Sequence, residues 1–340
     1  MPRLTSLLLA SVCSLILALG LSSQPFAATG AGEVRVSVPR GWESVGLADT
    51  GGGHVAIALR NVAGGGYALS IHRGARFEFI DLPTAPSGVT LSPDGGDVLV
   101  RLEGGGGPCS GGSLLASTEG RVRWQATDGR RAGFSSGGSV LLLDDAEGHC
   151  GSGSQLEIVD LDGHSLRLYD PGVSVRAALA VGRGERLLIA AGGSVALVDL
   201  ADGARRRWTV STGAVVAALH AVGADLFDAA LEDGRRLLLD GGGRVRYTWD
   251  PGELARRRGG RATRYAGFRA YPGESRGTVS WFDGSPRGFS LDLASGSLSK
   301  RRFDASSPRG FTAAKGIHDG KLMFDGGATL LLRPAIQGPD

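Results

Sequence analysis

The feature that most constrains this chain is a rhythm. From residue 40 onward, four short apolar runs separated by glycine-rich turns recur every ~40–50 residues, the length of one propeller blade. The clearest copy opens on Ala177-Ala178-Leu179-Ala180-Val181 and passes through Gly182–Gly184 to Arg186–Ala191. A Gly192-Gly193 turn then leads to Val195–Leu200, and Ala201-Asp202-Gly203 leads to Arg205–Val210 with Trp208 near its end. Short apolar runs joined by tight glycine turns read as successive β-hairpins. A repeated unit of this kind buries its faces only by stacking on its neighbours, and a closed ring is the arrangement that leaves no open end.

With this one at about 176–214, further copies align at about 40–88, 89–133, 134–175, 215–264, 265–310 and 311–334. The first carries its second strand at His54–Arg60 and its outer strand at Phe77–Leu82; the second opens on Val89-Thr90-Leu91. An aromatic stands late in the outer strand of six copies: Phe79, Trp124, Tyr169, Trp208, Trp249 and Phe303. A ring of stacking platforms for a ligand is one reading. Packing between blades is the other, and it is favoured because the outer strand lies far from the axis. Arginines alternate along the same strands, where charge discourages edge-to-edge pairing. The last copy offers only Phe311–Ala314, Lys321–Phe324 and Thr329–Leu332. Its missing outer strand is supplied by Glu33–Val38, which alternates with period two. The expected fold is an all-β propeller of about seven four-stranded blades, closed by an N-terminal strand. Asp250-Pro251-Gly252-Glu253 carries the capping pattern of a helical turn inserted after the fifth blade.

Composition agrees with many tight turns, since glycine contributes 57 of 340 residues without a collagen period. The net charge of +3 is small. Arg205–Arg207 and Arg256–Arg258 lack the surrounding aromatic residues of a nucleic-acid surface, so nucleic acid is not an expected partner.

Residues 1–30 read as a secretory signal: Arg3, an apolar run from Leu7 to Leu21, then Ala27, Ala28 and Gly30. An uncleaved membrane anchor is the alternative, with a run slightly short for a span of ~20 residues. Lipidation at Cys13 is disfavoured by Val12 before it. No later stretch is long and apolar enough to span a bilayer. The mature chain, 31–340, is expected to be a single-domain monomer in the periplasm or outside the cell. Cys109 and Cys150 remain there, one repeat apart in equivalent loops, and an oxidising compartment favours a disulfide between them. Two cysteines cannot complete a zinc site without His149 or acids.

Leu91-Ser92-Pro93-Asp94-Gly95 resembles the strand–turn signature of TolB-type and YVTN-type propellers. The hairpins Leu114–Trp124 and Val195–Trp208 resemble pyrroloquinoline-quinone-type repeats, with an apolar strand, a turn glycine and a following tryptophan. The resemblance runs over about residues 40–334. It implies a fold superfamily in which binding and scaffolding proteins outnumber enzymes, and it implies no activity.

In such a ring the connections between blades and the turns between second and third strands share one face. Arg40, Arg131, Arg176, Arg264 and Arg309 each stand just before an inner strand on that face. Together they suggest a basic rim for a carboxylate, a phosphate or an acidic protein tail. Acids recur at the ends of second strands: Asp144, Asp145, Glu232, Asp233, Asp283 and Asp325. The arginines therefore have a competing structural role, pairing with these acids. The loop Asp144–Cys150 is dense in polar groups but lacks the spacing of a calcium loop. The glycine run Gly104–Gly107 precedes no helix, and Ser135-Ser136-Gly137-Gly138 lacks a nucleophile-elbow context. His54, His72, His149, His164, His220 and His318 show no metal-binding spacing, although His220 is placed to approach the axis. With Asn61 the only asparagine, an amide-rich metal centre is hard to assemble. No catalytic residue, metal or cofactor is assigned. The expected ligand is an envelope or extracellular protein or a small anion. A propeller-type lactonase, lyase or hydrolase built on Asp145, Asp233, Asp283 or His220, and a purely structural surface component, remain as alternatives.

Overall fold

A computed structural model describes residues 34–51, 53–74, 76–92, 94–104, 111–127, 129–144, 155–223 and 225–250; later it describes the strand residues 265–270, 276–282, 286–292, 298–301, 316–318, 321–325 and 329–334. These residues form seven four-stranded antiparallel sheets; in six of them each strand pairs with its sequence neighbour, and in the seventh the first strand of the chain pairs with the last. The molecule is a seven-bladed β-propeller.

Blade one contains β2 (Trp42–Gly51), β3 (His54–Asn61), β4 (Tyr67–Arg73) and β5 (Arg76–Leu82). Blade two contains β6 (Pro86–Leu91), β7 (Asp97–Leu102), β8 (Gly112–Ser117) and β9 (Val122–Ala126). Blade three contains β10 (Arg131–Phe134), β11 (Val140–Asp144), β12 (Leu156–Asp160) and β13 (Ser165–Tyr169). Blade four contains β14 (Ala177–Val181), β15 (Arg186–Ala191), β16 (Ser194–Asp199) and β17 (Arg205–Ser211). Blade five contains β18 (Val216–Gly223), β19 (Leu226–Leu231), β20 (Arg236–Asp240) and β21 (Val245–Trp249). Blade six contains β22 (Tyr265–Ala270), β23 (Arg276–Phe282), β24 (Pro286–Asp292) and β25 (Leu298–Arg301). The last sheet takes β26 (Gly316–His318), β27 (Lys321–Asp325) and β28 (Thr329–Pro334) from the C-terminal part of the chain, and β1 (Val34–Ser37) from the N-terminal part.

The seam is antiparallel, with Val34 opposite Leu332 and Val36 opposite Leu330. Alternation along β1 sends Val36 inward, where it joins Val38, Val55, Ile57, Leu59 and Leu332 in one cluster. The closing strand thus packs on blade one while it pairs with blade seven. The inner strand of blade seven is Gly316–His318. The expected position, Phe311–Ala314, lies outside the described residues, as do residues 1–33 with Cys13 and the expected export signal, the Pro251–Arg256 segment and Phe303.

The core lies between blades rather than along an axis. Separate apolar clusters join blades one and two, two and three, three and four, and four and five. Each uses the central strands of both blades, whose residues alternate between the two neighbours. Outer-strand aromatics contribute to this packing. Trp124, Tyr169 and Trp208 each lie against the cluster shared with the following blade. Phe79 turns the other way and meets Trp42 edge-on, with ring centroids 4.8 Å apart.

Candidate functional site

Second-to-third-strand turns and blade-to-blade connections share one face, so the arginines before the inner strands stand on it. Arg40 occupies the turn that carries the chain from the closing strand into β2, and it is exposed. Arg131 opens β10, where register sets it opposite Asp144, the last residue of β11. Arg176 immediately precedes β14, and its guanidinium donates to Glu232 Oε1 at 2.6 Å. Glu232 follows β19, so this contact ties blade four to the loop face of blade five. Arg264, Arg309, Asp145 and Asp283 lie outside the described residues, and so do Cys109, His149 and Cys150.

Neighbouring residues complete a mixed-charge surface. Arg60 pairs with Glu43 through Nε at 2.7 Å. Arg130 contacts Glu157. Asp233 accepts the Arg235 backbone N–H at 3.0 Å and its Nε at 2.7 Å. That backbone hydrogen bond, then the guanidinium, holds the Asp233 carboxyl below its ordinary pKa. The pairs with Glu43, Glu232 and Asp233 are exposed, so each contributes only ~0–1 kcal/mol and exchanges readily for an outside carboxylate.

The opposite face uses charge differently. The third strands of blades three, four and five end in Asp160, Asp199 and Asp240, and each carboxylate caps the turn that follows. Asp160 accepts from the N–H groups of Asp162 at 2.9 Å and His164 at 2.8 Å. Asp240 does the same with Gly242 and Arg244. Arg207 binds Asp199 through Nε at 3.0 Å and a terminal nitrogen at 2.6 Å. The Arg207 hydrogen bond is the largest cause of the lowered Asp199 pKa. A repeated aspartate just before a glycine turn, with a basic residue a few positions on, was a readable signal for these contacts.

His72 lies inside β4 and is buried. Its Nε2 is 2.8 Å from Ser70 Oγ and its ring stacks on Phe77. Burial pushes its pKa down to about 4. His220 lies within β18 opposite Asp228. Asp228 itself is buried and bound by Arg236, with Nε donating to Oδ1 at 3.0 Å. Asp233 and His220 occupy different places: Asp233 stands in a turn on the loop face, and His220 on an inner strand.

No family model and no curated protein matches the chain. Solved structures do. A chain in the crystal structure of the mitotic checkpoint complex is similar at 16% identity with a TM-score of 0.54, over 95% of this chain and 100% of that one. A crystal structure of the eukaryotic initiation factor is similar at 11% identity and a TM-score of 0.44, over 62% of this chain and 55% of that one. At these identities the first likeness speaks for the β-propeller fold alone.

Proposed function

We propose that this chain is an exported, non-catalytic binding or scaffolding propeller. It holds a protein or a small anionic ligand on the face formed by the blade connections and the second-to-third-strand turns. The observation that carries this reading is the exchangeable charge on that face. Arg40 is exposed and, among the described residues, the ion-pair partner of Arg176 is the exposed carboxylate of Glu232, so both can transfer to a partner's acids at little cost. The similarity in fold to a chain found in a multiprotein complex supports a scaffolding role. The export signal read in residues 1–30 supports a partner in the envelope or beyond it.

The test is binding of a glutamate-rich peptide and of citrate to the 31–340 chain, followed by calorimetry. Replacing Arg40, Arg131 and Arg176 together by alanine is expected to weaken binding at least ~10-fold, since charge-assisted hydrogen bonds contribute roughly 1.5–3 kcal/mol each. Affinity unchanged in the triple variant, or no binding to either probe, rejects the loop face as the site.

A further inference from the structure

The blades repeat one geometry, so a position that departs from the repeat is informative. The outer strands of blades two to five share a register shift, between Leu115 and Ala116, Ile158 and Val159, Leu197 and Val198, and Leu238 and Leu239 of the adjoining strand. The extra residue at each bulge is Arg123, Leu166, Arg207 and Arg246. Three are arginines that bind an aspartate of their own blade: Asp97 at 2.7 Å, Asp199 at 2.6 Å and Asp240 at 2.8 Å. In blade three Leu166 takes this place and is 51% exposed, and His164 serves Asp160 instead.

The residue after the bulge also departs. It is Trp124 in blade two, Trp208 in blade four and Tyr247 in blade five, but Arg167 in blade three. The tryptophans cover the outer turn of the following blade. A Cβ on Gly163 would collide with the Trp124 ring, and one on Gly243 would stand 2.6 Å from Trp208 Cδ2. Trp208 Nε1 donates to Gly241 O at 2.9 Å. Both glycines also have φ above +80°, so the ring and the left-handed turn demand glycine together. Blade four has the turn that Arg167 leaves uncovered. It is two residues longer than its counterparts, closing Asp199 on Arg205 where Asp160 closes on His164. It carries left-handed Gly203 and Ala204, and nothing lies within 4 Å of a Cβ built on Gly203.

Register shows where the uncovered place points. Arg167 is opposite Ile158 and Arg206 is opposite Val198. Ile158 and Val198 belong to the cluster that joins blades three and four, with Tyr169 packed against it. Arg167 and Arg206 therefore rise from facing walls of one notch, at its outer end. The same two positions hold Trp124 and Ser165 in the preceding notch, and Trp208 and Val245 in the following one. Among the described residues, neither Arg167 nor Arg206 has an acid within ion-pair reach. Like charges on the two walls, with no acid paired to either among the described residues, favour an anion between them.

Beside this notch runs β13, the last strand of its sheet, with Leu168 61% exposed next to Leu166. Among the described residues no strand pairs with its outer backbone edge. Leu166 stands where blades two, four and five place an arginine, and Leu168 where they place Gln125, Thr209 and Thr248, so this edge is more apolar than its counterparts and suited to a further strand.

We propose that the notch between blades three and four docks an extended acidic–apolar segment of a partner protein. A carboxylate of that segment lies between Arg167 and Arg206, its backbone pairs along β13, and its apolar side chains cover Leu166 and Leu168. This rim site is separate from the loop face and does not depend on it. A phosphate polymer fits less well, because the leucines beside the arginines would gain nothing from it.

The test uses a fluorescein-labelled peptide of alternating leucine and glutamate, followed by anisotropy on the 31–340 chain. Arg167→Ala with Arg206→Ala is expected to weaken binding at least ~10-fold, as loss of charge-assisted hydrogen bonds requires. Leu166→Ser with Leu168→Ser is expected to weaken it several-fold. Arg167→Trp restores the ring found in the neighbouring blades; it is expected to keep the fold, raise the thermal midpoint and abolish binding. Alanine at Arg40, Arg131 and Arg176 is expected to leave this peptide's affinity unchanged, which separates the two sites. Absence of peptide binding, full affinity in Arg167→Trp, or a glutamine version of the peptide binding as well as the glutamate version overturns the proposal. A single-stranded oligonucleotide that outcompetes the peptide at the arginines overturns it in favour of nucleic acid.

Discussion

Blade five carries a charge pair where its neighbours are apolar, and removing one partner should be among the most damaging single changes in the ring. Phe227, Ala229 and Leu231 face blade four in a shared cluster. Strict alternation along β19 then aims Asp228 at blade six. Register places Leu238 beside Asp228, and Arg236 opposite both Ala230 and Trp249. The aspartate side chain is fully buried and that of Arg236 is 8% exposed. Two nitrogens of one guanidinium meet the two carboxylate oxygens. Asp228→Ala removes the buried carboxylate that binds this guanidinium, at a cost of roughly 3–5 kcal/mol. With a urea m-value near ~3 kcal/mol/M the midpoint should fall by about 1–1.7 M. Asp228→Leu combined with Arg236→Met removes both charges and fills the space, so it should return to within ~1 kcal/mol of the parent or exceed it. Equilibrium urea unfolding followed by tryptophan fluorescence measures all three. A loss below ~1 kcal/mol in Asp228→Ala, or a double variant as unstable as the single one, would refute a desolvated pair.

Two other perturbations probe the seam. Val36→Asp places a carboxylate among Val38, Val55, Ile57, Leu59 and Leu332 and should cost several kcal/mol, whereas Ser37→Asp on the exposed side of the same strand should stay within ~0.5 kcal/mol; equal melting temperatures for the two would reject closure by this strand. His72 shares the face of Val55, which packs at the seam, and its folded pKa of about 4 lies below the unfolded 6.5. The unfolded chain therefore binds the extra proton between these values, so the neutral ring's advantage is complete above pH 6.5 and declines as pH falls toward 4, by up to ~3 kcal/mol. Urea titrations across that range should show this slope in the parent and not in His72→Gln; identical slopes would contradict it.

What the sequence made legible follows from how short-range each signal is. Period-two alternation and glycine turns are local, so β14 to β17 fall within a residue or two of their expected bounds. The closing strand was readable because a repeat short of one strand and an unassigned alternating strand complement each other. The inner strand of blade seven was not, since Gly316-Ile317-His318 offers no apolar alternation. Partnerships across the ring were invisible as well. Arg176 and Glu232 stand in different blades, and nothing local distinguishes that glutamate from Asp233 beside it. His72 and Asp228 sit in strand positions where a polar residue reads as solvent-facing, yet both are buried because a blade packs on each side of its sheet. The bulges in the outer strands were hidden by the run of arginines, which keeps no visible phase across Arg205-Arg206-Arg207.

A closed ring of similar sheets solves one packing problem repeatedly, and this turns small departures into physical information. Tryptophan over a glycine turn stabilises the rim at the junctions of blades two and three and of blades four and five, and a tryptophan at position 167 would cover the third-to-fourth junction in the same way. Arg167 and Arg206 stand there instead and forgo that burial. The Asp228–Arg236 pair differs in kind: its charges satisfy one another inside an interface and need nothing from outside. Arg167 and Arg206 are like charges, and no rearrangement of either side chain can satisfy the other. A deviation that is complete within the chain belongs to its internal architecture. One that lacks its counter-charge among the described residues points outward, and this is the physical ground for placing a partner at the rim.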